Sequence, residues 1–262
     1  MNIGFIGTGN MGGAIAMAVA KSSLKPQIFL TDHHMTKVQA LAEKISATAA
    51  ELETLLSKCD YIFLGVKPQV LPGLLRDISA RIKPNCVVIS MAAGVKMETI
   101  AQTLGENTRI IRIMPNTPVS VGAGMTMYDA SAAVSQEEIA CFLTLMEQAG
   151  KLDRLPERLI DAGCAVAGCG PAFAFLFAEA LADGGVACGL PREKAMAYAA
   201  QMLYGSADLL IKSGKTPGEL KDAVCSPGGS TIRGVHALEE GGLRGTVMDA
   251  VVAAFERTKE LG

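Results

Sequence analysis

The sequence predicts a two-part α/β chain, with a mostly parallel sheet and crossover helices over residues 1–155 and an all-helical half over residues 156–262. Three observations lead there. Short β-branched and aromatic runs alternate with helical patterns up to about Leu155. Several of those runs are apolar on both alternations, as strands covered on both faces are. Beyond Pro156 the strand signal stops and Ala- and Leu-rich segments of helical spacing take over.

Strands are expected at Ile3 to Ile6, Gln27 to Leu30, Tyr61 to Val66, Cys86 to Ser90 and Arg109 to Met114, with further candidates at Gly124 to Tyr128 and Lys151 to Leu155. The expected helices of the second half are Leu159 to Val166, Ala172 to Cys188, Pro191 to Ser213, Gly218 to Cys225, Thr231 to Glu240 and Leu243 to Leu261. Pro191 suits a first helical position, and Gly241-Gly242 breaks the pattern before the last helix. In that helix Leu243, Val247, Val251 and Phe255 recur every four residues, an ordinary amphipathic face. Ala172 to Cys188 differs, being apolar nearly all round apart from Glu179 and Asp183. Such a helix must be covered on every side, which predicts a homodimer or higher homo-oligomer built through the helical domain.

Composition narrows the class. The 262 residues are 50% hydrophobic and 19% charged with a net charge of -2, which gives a well-stocked core and no basic face for a nucleic-acid partner. Seven cysteines, with no Cys-x-x-Cys pair, and only three histidines assemble no zinc spacing. Free thiols and an N-terminus without signal-peptide character point to a reducing cytoplasmic location. Residues 162–178 carry no charge but are short and interrupted by Gly163, Gly168, Gly170 and Pro171. They read as a buried loop followed by a buried helix rather than a membrane span.

The first chemical signal follows the first strand. Gly7-Thr8-Gly9-Asn10-Met11-Gly12 opens the helical run Ala14 to Ala20, a Gly-x-Gly-x-x-Gly pattern between strand and helix. Gly7 permits the tight turn, Gly9 lets backbone N–H groups approach a pyrophosphate, and Gly12 lets helix and strand pack closely. The helix N-terminus then holds the anion. The sheet is therefore expected to be of Rossmann type and to bind a dinucleotide.

Asp32, twenty residues beyond Gly12, stands where an acidic side chain accepts from the adenosine ribose, which favours NAD. His33, His34 and Lys37 follow at once; they could meet a 2'-phosphate if Asp32 turns away, or could simply form a solvated helix start. Val66-Lys67-Pro68 and Ala92-Ala93-Gly94 end two further strands at the same sheet edge and are expected to flank the nicotinamide. Lys67 reads equally as a solvated turn lysine.

The second signal is Ser226-Pro227-Gly228-Gly229-Ser230-Thr231 before a helix. Here the chain resembles pyrroline-5-carboxylate reductases. The resemblance runs along the whole chain through the glycine loop, Val66-Lys67-Pro68, Ala92-Ala93-Gly94, Met114-Pro115-Asn116-Thr117-Pro118, Ala182-Asp183-Gly184-Gly185, Gly189-Leu190-Pro191-Arg192 and the Ser-Pro-Gly-Gly loop. It implies reduction of a cyclic imine to L-proline, the last step of proline biosynthesis, with NADPH as reductant and NADH possible, in a dimeric or larger assembly whose site is shared between subunits. The family commonly has Gly-Ser-Gly-Pro-Ala-Tyr where this chain has Gly168-Cys169-Gly170-Pro171-Ala172-Phe173, and a threonine-like residue at Ser230.

Pyrroline-5-carboxylate carries a carboxylate and a ring imine. Backbone N–H groups of Gly228, Gly229 and Ser230 are expected to cradle the carboxylate, and the Thr231 hydroxyl to reach the ring nitrogen. Ser226 and Asn116 complete the expected substrate-binding set. Without the resemblance, the same loop reads as a serviceable helix cap. Other readings of the chain are a hydroxy-acid dehydrogenase, a cofactor-sensing protein without catalysis and, more remotely, a methyltransferase.

Overall fold

The structure, a computed structural model, describes residues 1–260. Packing divides the chain into two compact units, Met1–Cys169 with Ala254–Gly262, and Gly170–Ala253.

The first unit is built on β1 (Asn2–Ile6), β2 (Gln27–Thr31), β3 (Thr48–Ala49), β4 (Tyr61–Leu64), β5 (Val87–Ser90), β6 (Arg109–Met114), β7 (Gly124–Ala130) and β8 (Gly150–Arg154). They form one sheet in the order β3-β2-β1-β4-β5-β6-β7-β8. The first six run parallel, β7 is antiparallel to β6, and β8 lies parallel to β7. Crossovers are made by α1 (Asn10–Val19), α2 (Met35–Ile45), α3 (Leu52–Lys58), α4 (Leu71–Ile78) and α5 (Met97–Leu104), while α6 (Gln136–Leu145) joins β7 to β8. The sheet is buried on both faces, one against a cluster including Phe5, Ile15, Phe63 and Ile111, the other against Ile62, Leu64, Leu71 and Val88. That double burial is why the central strands lack polar alternation. Two-residue β3 is too short to carry a pattern in the sequence. The strand starting at Tyr61 ends at Leu64, two residues before the expected Val66, because Gly65 begins a turn.

Residues 156–169 pack with the sheet. Ile160 of α7 (Glu157–Gly163) and Cys164 cluster with Met114 and Met127. Arg112, 1% exposed on β6, pairs with Glu157 and Asp161 of α7, the latter at 2.5 Å. As a packing unit the helical half thus starts at Gly170, later in the chain than the strand signal ends.

The expected loop before the apolar helix is absent. A π-helical turn, Cys164–Gly168, links α7 to α8 (Gly170–Ala187), and the Cys169 N–H donates to the Cys164 carbonyl at 2.9 Å. Pro171 breaks nothing because it sits in the first turn of α8, where its missing N–H is not needed. The resulting run, Glu157–Ala187, is long and apolar enough by length and composition to cross a membrane. Nor is α8 buried within its own chain, where Ala182 alone of its residues is covered.

The second unit contains α8, α9 (Arg192–Ser213), α10 (Pro217–Val224), α11 (Ser230–Glu240) and most of α12 (Leu243–Lys259). Helices α8 and α9 touch through small residues: a Cβ on Gly185 would lie 3.2 Å from that of Ala195. The helix ends follow local rules. Thr216 and Glu219 form a capping box on α10, Gly214 ends α9 with a positive φ, and Gly242, with φ +71°, separates α11 from α12. Among the unit's hydrophobic residues, buried side chains are confined to Ala182, Ala195 and Ala199. Phe175 and Leu176 are each 67% exposed and Ile211 is 81% exposed. An exposed apolar surface of this extent is characteristic of an interaction face.

Candidate active site

The glycine loop lies where the strand order reverses, between β1 and β4. Gly7 takes φ +92°, and its N–H donates to Thr31 at 2.9 Å, tying the turn to the end of β2. A Cβ at Gly12 or Gly65 would collide with the Gly7 carbonyl oxygen, so helix, strand and turn close only around glycine. Gly9 has open space where its side chain would point. It caps α1, whose first N–H groups, on Asn10, Met11 and Gly12, have no acceptor in the helix and face outward along its axis. These are the features a pyrophosphate needs: close approach, free donors and the positive end of a helix dipole.

Beside the loop is a cleft of about 490 Å³ whose lining includes Gly7, Asp32, His33 and Val66. Glu51, Leu52, Val70 and Leu74 are also among its walls and carry no signal in the sequence. They follow β3 or begin α4, and without β3 nothing marks them as facing the cleft. Asp32 is held by two backbone donors, Thr8 N–H to Oδ2 at 2.7 Å and His34 N–H to Oδ1 at 3.2 Å. Burial pushes its carboxyl upward, but these hydrogen bonds and the charges of His34 and His33 outweigh that and hold it below the ordinary carboxylate value. Val66 lines the same cleft as Asp32.

Lys67 is exposed, and its carbonyl accepts the N–H of Val70 at 2.9 Å and of Leu71 at 3.2 Å, turning the chain after Pro68 into α4. At the end of β5, Ala92 is buried, Ala93 half-buried and Gly94 takes φ +76°, which brings backbone to the sheet edge. Asn116, expected in the substrate-binding set, is engaged within the chain. It is 8% exposed, its amide donates to the Ala167 carbonyl at 3.0 Å, and its oxygen accepts the Met125 N–H at 2.9 Å. Its side chain ties the end of β6 to β7 and the π turn.

In the helical unit, Ser226 to Gly229 form a tight turn closed by Gly229 N–H donating to Ser226 at 3.0 Å. With Pro227 second and Gly228 third at φ +70°, it has the residues of a type II turn. A Cβ on Gly229 would strike the Ser226 hydroxyl. The turn uses the Gly229 N–H, so that group leaves the expected cradle. The free donors shift one step along, to Ser230, Thr231 and Ile232 in the first turn of α11, which no side chain caps. Ser226, Ser230 and Thr231 are exposed, and among the described residues none of their hydroxyls has a side-chain hydrogen bond within the chain.

Sheet order and glycine loop define a dinucleotide-binding protein of Rossmann type joined to a helical unit. Residues 157–261 match the family model described as pyrroline-5-carboxylate reductase dimerisation, and residues 2–94 match one described as NADP oxidoreductase coenzyme F420-dependent. The chain is 40% identical to the pyrroline-5-carboxylate reductase of Escherichia coli K12, covering 99% of this chain and 97% of the relative, and 39% identical to that of Arabidopsis thaliana, covering 99% and 95%. A crystal structure of the Plasmodium falciparum pyrroline carboxylate reductase with NADP bound superposes with a TM-score of 0.90 at 30% identity, covering 100% of this chain and 98% of that one. This chain belongs to the pyrroline-5-carboxylate reductase family.

Proposed function

We propose that the protein reduces pyrroline-5-carboxylate to L-proline with NAD(P)H, the helical unit binding the substrate and the glycine loop the cofactor. The observation that carries this is the pairing, in one chain, of a pyrophosphate cradle with a Ser-Pro-Gly-Gly turn whose following helix offers uncapped N–H groups and three unpaired hydroxyls. When bound, the reduced nicotinamide supplies a hydride for the imine carbon. The residues of the chain do the rest. Asn10, Met11 and Gly12 hold the pyrophosphate, Asp32 and His33 face the adenosine ribose, and the turns at Val66–Pro68 and Ala92–Gly94 flank the ring-bearing half.

The N–H groups of Ser230 and Thr231, with that of Gly228 beside them, bind the substrate carboxylate at the helix N-terminus. The Thr231 hydroxyl oxygen accepts a hydrogen bond from the protonated ring nitrogen, orienting the ring. No strong acid is called for, because an imine can be protonated in water before binding; the nitrogen keeps that proton when the carbon is reduced. Catalysis then rests on holding the imine carbon within about 3 to 3.5 Å of the hydride donor. The apolar face of the second unit supports a homodimer built through it, in which the partner completes the site. Seven unpaired cysteines support a reducing, cytoplasmic setting.

The test is direct. Purified protein given reduced cofactor and pyrroline-5-carboxylate should consume the cofactor with one proline formed per nucleotide oxidised. Binding of cofactor without turnover would instead favour a sensor.

A further inference from the structure

We infer that NADH is the reductant this chain prefers within its NAD(P)H use, and that Asp32 is the residue that sets the preference. The inference rests on the proposed cofactor site and adds its discrimination at the ribose 2' position.

An acidic side chain at the end of the second strand accepts a hydrogen bond from the 2'-hydroxyl of NADH. A 2'-phosphate at the same place brings additional negative charge and calls for arginine or lysine. NADPH would therefore be accommodated if Asp32 swung aside and the basic residues after it moved in. The geometry opposes both halves of that exchange. Asp32 directly follows β2 and lines the cleft with Gly7. Its two oxygens are fixed separately, one by the Thr8 N–H and the other by the His34 N–H. Swinging away would give up both bonds and unpin the glycine loop, while each oxygen retains a second lone pair for a ribose hydroxyl.

Nor do the basic residues after Asp32, His33 apart, line the cleft. His33 is the one basic residue lining the cleft among the described residues, and no lysine or arginine does. His34 caps α2, and Lys37 lies within that helix, outside the lining. Two more carboxylates line the walls, Glu51 and Asp77. Asp77 is matched by Arg81 at 2.8 Å, and Arg81 also pairs with Glu53, so that cation is committed. A 2'-phosphate would meet Asp32 and Glu51 with a single histidine to set against them, whereas a 2'-hydroxyl would meet an acceptor already aimed.

Isothermal titration calorimetry of the full chain with NADH and with NADPH reads this without turnover. The expected result is NADH binding tighter by about tenfold or more, the effect of like charge at a partly buried site. Asp32→Ala should narrow the ratio, chiefly by improving NADPH binding. Glu51→Gln, on the exposed wall, should narrow it less in the same direction and serves as the variant if Asp32→Ala does not fold. NADPH binding as tightly as NADH to the unaltered protein, or a ratio that neither variant changes, would overturn the inference. A binding ratio favouring NADH supports it even in a protein that turns over no pyrroline-5-carboxylate, so the two readings fail separately.

Discussion

Gly7 and Gly65 meet backbone to backbone: a Cβ on Gly7 would lie 2.7 Å from the Gly65 carbonyl carbon and 2.8 Å from its oxygen. The turn after β1 is thereby pressed against the turn after β4, and the cofactor cleft opens at that junction. Gly65→Ala should cost about 1 to 3 kcal/mol of stability, the usual penalty for overpacking, and weaken nucleotide binding more than tenfold. Urea denaturation and calorimetry check the two effects. Gly9→Ala, which meets open space, should leave stability nearly unchanged while affecting nucleotide affinity.

Arg112 is the most deeply placed charge in the sheet unit, and it joins β6 to the first turns of α7. Its partner Glu157 also accepts the Met97 N–H at 2.6 Å, so one carboxylate holds the start of α5 as well. Arg112→Met would leave two carboxylates without their cation. A loss of about 3 to 5 kcal/mol is expected, read as a lower urea midpoint.

Asp32 makes stability depend on acid. Its carboxyl is held below the ordinary value of 3.8, so the folded state favours its ionised form. That contribution is fully present at neutral pH and is lost as the pH falls below about 4 through the folded value. Asp32→Asn should therefore flatten the acid limb of a stability-against-pH curve. An unchanged limb would mean that the Thr8 and His34 bonds do not persist in solution.

Phe175 and Leu176 test the assembly. Replacing both with glutamate places charge on a face that a partner chain is expected to bury. Sedimentation should show monomers, with the sheet unit still binding nucleotide. Dimers that persist would place the interface elsewhere.

Much of this was legible in the sequence, for reasons particular residues make plain. The β1 strand, the glycine loop and α1 announce themselves because doubly buried strands are uniformly apolar and a tight turn under a pyrophosphate admits little but glycine. The same holds for Pro227-Gly228-Gly229, where a positive φ and a close contact each demand a residue without a side chain. The cleft walls at Glu51, Val70 and Leu74 were not legible, since they reach the site through a two-residue strand and a helix start with no pattern of their own. The bonds of Asn116 to Ala167 and Met125 were not legible either, because its motif gives a residue type whereas that engagement arises from tertiary packing. The glycines and proline around residues 163–171 suggested a loop, but Pro171 falls in a first helical turn and the π turn absorbs the rest.

In the proposed mechanism Thr231 bears the most weight. Thr231→Ala should lower kcat by about ten- to a hundredfold, the range for a hydrogen bond to a charged group, with the Kd for reduced cofactor unchanged. Thr231→Ser should restore most of the activity.

The central claim is spatial: the turn at residues 226–231, from one subunit or its neighbour, presents the substrate to the nicotinamide. A crystal structure of the protein with oxidised cofactor and L-proline measures it directly. The expected result is a proline carboxylate on the N–H groups of Ser230 and Thr231, with the ring carbon that received hydride about 3 to 3.5 Å from the nicotinamide. Proline bound away from that turn in every subunit would contradict it.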